Sequence, residues 1–262
     1  MGGPVLDTRE ISIAFGAVVA ADRVSVAVAE GEVVGVIGAN GAGKTTFINM
    51  VTGYLKPSSG RIYYMGRDVT RLTPRQVTHL GIRRSFQIPQ IFPEMTALGN
   101  MLAALALAAG PRPSPWRPLR LPAALEDAGR VLETFRIAGY GEQPAGNLPQ
   151  GVKKVLDIAM ATVGEPRLML LDEPTSGVSA EEKFDVMDTL MVALRRRSTS
   201  VLFVEHDMEI VERYAQRVVA FYDGRVIADG PVDAVLSDSD VRRYVIGKEL
   251  HRAAPPRGRG GS

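Results

Sequence analysis

Runs of large apolar residues bounded by glycine or charged turns recur along the chain, most of them followed by an amphipathic stretch. Glu32-Val33-Val34-Gly35-Val36-Ile37 is the first run that is apolar almost throughout, the pattern of a strand buried on both faces. Residues 45–52 behind it are predicted as a helix stopped by Gly53. Leu168-Met169-Leu170-Leu171 and Val201-Leu202-Phe203-Val204 repeat the strand pattern. Between them, residues 181–197 place Phe184, Met187, Leu190, Met191 and Leu194 three and four apart, the spacing of a helix with one apolar stripe. A short helix follows Asp207, and Asp223-Gly224 marks a hairpin turn. Strands alternating with helices in this way predict a parallel sheet covered on both faces.

Two regions depart from that alternation. Up to about Met65, short strands alternate with turns at Glu30-Gly31 and Ser58-Ser59-Gly60. Thr73-Pro74 reads as a helix cap followed by proline at the first helical position. From about 88 to 147 no strand is convincing. Residues 101–109 are helix-prone, 111–122 contain five prolines and are read as irregular, and 124–135 have helical spacing through Leu125, Ala128, Val131, Leu132 and Phe135. The expected organisation is one domain over 5–250, with a helical block inserted at about 88–162. A disordered basic Gly/Pro tail is expected over 251–262.

Composition removes several chemistries. The chain of 262 residues has no cysteine, which excludes disulfides, thiolate metal sites and cysteine nucleophiles. Its net charge of +2 supplies no global field for nucleic acid. Asp7, Arg9 and Glu10 interrupt the start before a secretory apolar region forms, and the longest apolar run, 101–109, is about half of what a bilayer crossing requires.

The candidate chemistry begins at Gly38-Ala39-Asn40-Gly41-Ala42-Gly43-Lys44-Thr45-Thr46, which matches G-x-x-x-x-G-K-[ST], the phosphate-binding loop of nucleoside triphosphatases. Glycines let backbone N–H groups face an anion, and the N-terminus of the following helix adds partial positive charge. Lys44 is assigned to the β- and γ-phosphates and Thr45 to Mg²⁺. Asp172, closing an apolar strand, is placed beside that loop as a second Mg²⁺ ligand acting through water. Glu173 is one residue further on and is read as the group that orients or deprotonates the attacking water. His206, at the end of the next strand, is positioned to reach both a γ-phosphate and Glu173. His79 and His251 are taken as surface residues.

With these motifs in this order, the chain resembles the ATPase subunit of an ATP-binding cassette (ABC) transporter over about residues 6–250. The resemblance implies an α/β fold: a P-loop NTPase core with a mainly parallel sheet, an N-terminal antiparallel β subdomain and an inserted α-helical subdomain. It also implies that Gln87, in Ser85-Phe86-Gln87-Ile88, contacts Mg²⁺ and couples the helical part to a membrane partner, and that Phe15 stacks on adenine. The family signature Leu-Ser-Gly-Gly-Gln is here Leu148-Pro149-Gln150-Gly151-Val152, retaining only Leu148 and Gly151. Pro149 offers neither hydroxyl nor N–H, so backbone donors at Gly151 and the helix behind it are what remain for a nucleotide held by a facing subunit. The loop Ser176-Gly177-Val178-Ser179 lacks the family's aspartate, and Ser179 with Glu182 forms a capping box that accounts for the serine.

Gly81-Ile82-Arg83-Arg84-Ser85-Phe86-Gln87, Glu205-His206-Asp207-Met208 and Ala228-Asp229-Gly230 are similar to the ATPases of branched-chain amino acid importers. That likeness implies ATP and Mg²⁺ as cofactors and a peripheral position on the cytoplasmic face of the membrane. The implied partners are a second ATPase subunit (a heterodimer favoured over a homodimer), two transmembrane permeases and, indirectly, an extracytoplasmic solute-binding protein. No nucleic acid is expected. Two alternatives stay open: a soluble ABC-type ATPase of nucleic-acid or ribosome metabolism, for which Arg195-Arg196-Arg197 is the only basic patch, and a weakly hydrolysing regulatory cassette.

Overall fold

Period-two alternation along the central strands builds two cores back to back. The computed structural model describes residues 3–85, 87–108 and 122–247. The chain runs through β1 (Leu6–Phe15), β2 (Val18–Val28), β3 (Val33–Gly38), α1 (Lys44–Val51), β4 (Ser59–Tyr64), β5 (Arg67–Asp68), α2 (Pro74–Leu80) and β6 (Ile82–Ser85). Three helices follow, α3 (Ala97–Ala108), α4 (Pro122–Thr134) and α5 (Gln150–Ala161). Alternation then resumes with β7 (Leu168–Asp172), α6 (Lys183–Arg195), β8 (Ser200–Val204), α7 (Met208–Tyr214), β9 (Arg217–Tyr222), β10 (Arg225–Pro231) and α8 (Val232–Ser237).

Six strands form one sheet in the order β10-β9-β3-β8-β7-β6, parallel except for the β9–β10 hairpin. The other four form an antiparallel sheet, β2-β1-β4-β5. Ile37, Met169, Leu171, Val201, Phe203, Val218 and Ala220 point into a core shared with α3 to α8. Their neighbours Val36, Leu168, Leu170, Leu202, Val219 and Phe221 point the other way, into a core shared with α1 and the antiparallel sheet. Phe47 of α1 meets Phe221 there with ring centroids 5.5 Å apart, and neither ring reaches solvent. Burying each such side chain contributes roughly 1.5–3 kcal/mol.

Local signals set the element ends. Thr73 and Gln76 form a reciprocal capping box with Pro74 as the first helical residue of α2. Asp207 caps α7 by accepting from Glu209 N, and Asp223 and Gly224 turn the β9–β10 hairpin at φ 49° and 75°. The helix expected over 181–197 starts at Lys183, because the Ser179–Glu182 pair closes a separate turn first, with Ser179 Oγ accepting from Glu182 N at 3.3 Å. Between β6 and β7 the described residues hold no strand, only the isolated bridge Thr96–Pro144. The expectations for Phe86, Ala109, the prolines at 111–118, His251 and the 251–262 tail lie outside the described residues.

Candidate functional site

β3 runs through the middle of the parallel sheet and delivers residues 38–46 to its carboxyl edge. Two glycines there have no substitute. A Cβ at Gly38 (φ 154°) would lie 2.5 Å from Phe221 O, and one at Gly43 (φ 103°) 2.6 Å from Ala20 O. Gly43 is the N-cap of α1 and makes no side-chain cap bond, so the helix N-terminus opens onto the loop without a capping side chain. Asn40, Gly41 and Thr45 are exposed on this side, Thr46 is half-buried, and Ala42 is buried with its N–H bonded to Ala39 O at 3.0 Å. Lys44 is buried, its ammonium folded over the loop onto the carbonyls of Gly38 and, at 3.1 Å, Ala39. The β9–β10 turn backs the loop through Gly224 N to Ala42 O at 3.1 Å and also holds β2 through Asp22 N to Gly224 O at 2.8 Å.

The acidic pair stands at the same edge. Asp172 ends β7, and its Oδ2 accepts from Arg84 of β6 at 2.6 Å; Arg84 also donates to Asn49 of α1 at 2.6 Å. Glu173 takes a left-handed backbone at φ 47°, a conformation that costs a non-glycine residue about 1 kcal/mol or more. Its surroundings enforce the bend: Glu173 N donates to Val204 O at 3.0 Å and Ser176 N to Glu173 O at 3.1 Å. As a result its carboxylate meets both other predicted groups. Gln87 Nε2 donates to Oε2 at 2.6 Å, and His206 Nε2 lies 3.2 Å from Oε1. The predicted Gln87, Glu173 and His206 are thus in contact.

Three residues that sequence reasoning passed over hold this constellation. Glu205 is buried and accepts from Thr175 N at 2.9 Å, Thr175 Oγ1 at 2.7 Å and His206 N at 3.2 Å, tying the turn after Glu173 to the strand end carrying His206. Burial pushes its carboxyl above the usual range, against the pull of those donors. Lys154 of α5 donates to the carbonyls of Gln87 and Glu173. Arg84 is the third. Lys154 on the buried face of α5 and Glu205 directly after the apolar run of β8 were the available signals; Arg84, in the mostly polar Ile82-Arg83-Arg84-Ser85, gave none.

Phe15 ends β1 with half its surface exposed, next to the exposed Val18 and Val19, so it is not an ordinary core aromatic. Gly151 sits in the first turn of α5, where a Cβ would meet Val186 and Val178; Pro149 is that helix's N-cap, without a side-chain bond. His79 is exposed.

The site's donors suit a magnesium nucleotide. A helix N-terminus with no capping side chain, beside an ammonium, matches a polyphosphate. A hydroxyl, a carboxylate and an amide oxygen make a hard set, and among the described residues no group of three or more His, Cys, Asp or Glu offers a self-sufficient metal cage. Residues 21–176 match the protein family described as ABC transporter. The chain belongs to the ABC transporter family. This ABC protein is 34 % identical to the probable branched-chain amino acid transport ATP-binding protein LivG of Methanocaldococcus jannaschii, over 93 % of its own length and 98 % of the relative's. It is 32 % identical to the high-affinity LivG of Salmonella typhimurium and 31 % to BraF of Pseudomonas aeruginosa, over 95 % of its length and all of theirs in both cases. A nucleotide-free ATP-binding cassette from an ABC transporter superposes with a TM-score of 0.81 at 32 % identity, covering 92 % of this chain and 98 % of that one. The ADP conformation of an ATP-binding cassette gives 0.81 at 31 %, covering 96 % and 99 %. The α/β P-loop fold and the family expected from the motifs are therefore both found. Among the described residues, no helix of this ABC protein is long and apolar enough to cross a membrane.

Proposed function

We propose that this chain is the ATP-hydrolysing subunit that powers import of a branched-chain amino acid or similar small polar solute through a membrane permease, from the cytoplasmic face. The observation that carries the catalytic part is Glu173, held on one carboxylate oxygen by Gln87 and set against His206 on the other. The names of the relatives support the solute class. The soluble nucleic-acid alternative finds no support among those relatives, and the intact Lys44, Asp172, Glu173 and His206 speak against a purely regulatory cassette.

In this reading adenine stacks on Phe15, and the phosphates sit on the amides of residues 38–46. Lys44 exchanges its loop carbonyls for β- and γ-phosphate oxygens and neutralises developing charge. Thr45, Asp172 and the amide oxygen of Gln87 would hold Mg²⁺, which supplies Lewis-acid charge neutralisation at the phosphates. Glu173 orients and deprotonates the attacking water, and His206 holds Glu173 while facing the γ-phosphate. Two cassettes close head to tail, each offering the Gly151 end of α5 to the other's nucleotide; a heterodimer is favoured because this signature is degenerate. A groove of about 410 Å³ lined by Tyr54, Arg83, Phe92 and Leu107 runs between the sheet edge and α3, close in sequence to Gln87, and suits the contact with one of two permeases. A solute-binding protein outside the membrane acts on the permeases, not on this chain.

Glu173→Gln tests the assignment. It is expected to lower MgATP turnover by about 10²–10⁴-fold while MgATP binding persists, trapping the closed dimer. Turnover at the unmodified rate removes Glu173 as the base. Detergent extraction and co-purification would report the permeases.

A further inference from the structure

Lys154 is a buried cation that no step above uses. It lies in the second turn of α5, 3 % exposed, and its ammonium donates to backbone carbonyls from two separate segments, Gln87 and, at 3.3 Å, Glu173. Three residues along the same helix, Asp157 accepts the backbone N–H of Gln90 at 2.8 Å. The spacing of three puts both groups on one helix face. The helix thus grips residues 87–90 at both ends, by a cation on a carbonyl and a carboxylate on an amide. It also holds the peptide leaving Glu173, the residue with the left-handed backbone. Burial lowers the ammonium's pKa, while Asp157, Glu173, Glu205 and Asp172 surround it with compensating negative charge. One turn toward the N-terminus, the same helix carries Gly151 against Val178 and Val186.

We propose that Lys154 is a positioning residue for hydrolysis, a strut that passes the placement of α5 to Gln87 and Glu173. Because the first turn of α5 is the part offered to the second subunit, seating that turn on the neighbour's nucleotide sets the base geometry in this subunit. Gln87 reaches Glu173 by its side chain, and the Lys154 ammonium fixes the backbone of both. A shift of α5 then moves the amide and the carboxylate together. The role rests on the ATPase reading above.

The test uses the full-length chain, MgATP as probe and a double-mutant cycle. Lys154→Met is expected to leave KM for MgATP within about 3-fold and to lower kcat by at least about 10-fold, since misplacing a catalytic group by an ångström costs up to about 10²-fold. In a Glu173→Gln background the same change should cost less than about 2-fold further, measured by single turnover, because the geometry it disturbs no longer serves a base. A kcat within 3-fold of the unmodified chain, or two losses that multiply, overturns the proposal. If Lys154→Met fails to fold by circular dichroism, Lys154→Gln, which keeps a donor, is judged on the same criteria. An unmodified chain that neither binds nor hydrolyses MgATP refutes the ATPase reading and this role with it; normal turnover untouched by Lys154→Met refutes this role alone.

Discussion

Removing the Glu205 side chain should destabilise the protein far more than removing its charge. Glu205 is 4 % exposed and accepts two backbone N–H groups, from Thr175 and His206, and the Thr175 hydroxyl. Glu205→Ala strands the two amides, which cannot rotate away, while the hydroxyl can turn to another acceptor. Each buried unsatisfied donor costs about 1–3 kcal/mol. Release of the carboxylate's own desolvation offsets part of that, leaving about 2–4 kcal/mol, or roughly 5–15 °C in Tm for a chain of this size. Glu205→Gln keeps an acceptor and should lose about 1 kcal/mol. The pH dependence separates the two effects further. Burial raises the folded-state pKa of Glu205 above the ordinary 4.5, so between 4.5 and that raised value the folded chain keeps a proton that the unfolded chain has released. Stability therefore falls as pH rises through this window. Urea unfolding of the three proteins at closely spaced pH values checks both points. A loss under about 1 kcal/mol for Glu205→Ala, or a Glu205→Gln difference from the parent that is flat across the window, would refute the reasoning.

Phe15→Ala should weaken MgATP binding by about 5- to 150-fold, the worth of about 1–3 kcal/mol of base stacking, with kcat at saturation little changed; titration calorimetry checks this, and unaltered affinity would remove Phe15 from the nucleotide site. Arg84→Met leaves the Asp172 carboxylate without its guanidinium partner, in a pair whose side chains are only 9 % and 10 % exposed. Breaking such a pair is expected to cost about 3–5 kcal/mol in urea unfolding, and a loss below 1 kcal/mol would show that Asp172 does not depend on it.

Most strands and the phosphate loop were legible because each is encoded locally, in apolar runs or in one unbroken string of nine residues; β6, Ile82-Arg83-Arg84-Ser85, carries no such pattern and was not expected. Helix boundaries were less so: Ser179-x-x-Glu182 satisfies a capping pattern, yet it closes a turn before α6 and not the helix itself. The supports of the site were not legible at all. Arg84 and Asp172 are 88 positions apart, Lys154 and Gln87 67, Thr175 and Glu205 30. Such pairs exist only once the sheet order is known, and no periodicity announces them. What the sequence does show is a charged residue where the pattern calls for an apolar one, as at Lys154 and Asp157 in α5. That signal marks a buried polar contact without naming its partner.

Phe15 belongs to the antiparallel sheet, Lys44 opens the helix that follows β3 of the parallel one, and the hairpin turn at Gly224 staples β2 to the phosphate loop. A nucleotide lying on both is a clasp across that seam. Adenosine alone or tripolyphosphate alone would grasp one half each, and the intact molecule should exceed their combined grip by the tethering advantage of a single linker. The seam, more than either half, then decides how firmly the cassette is fastened.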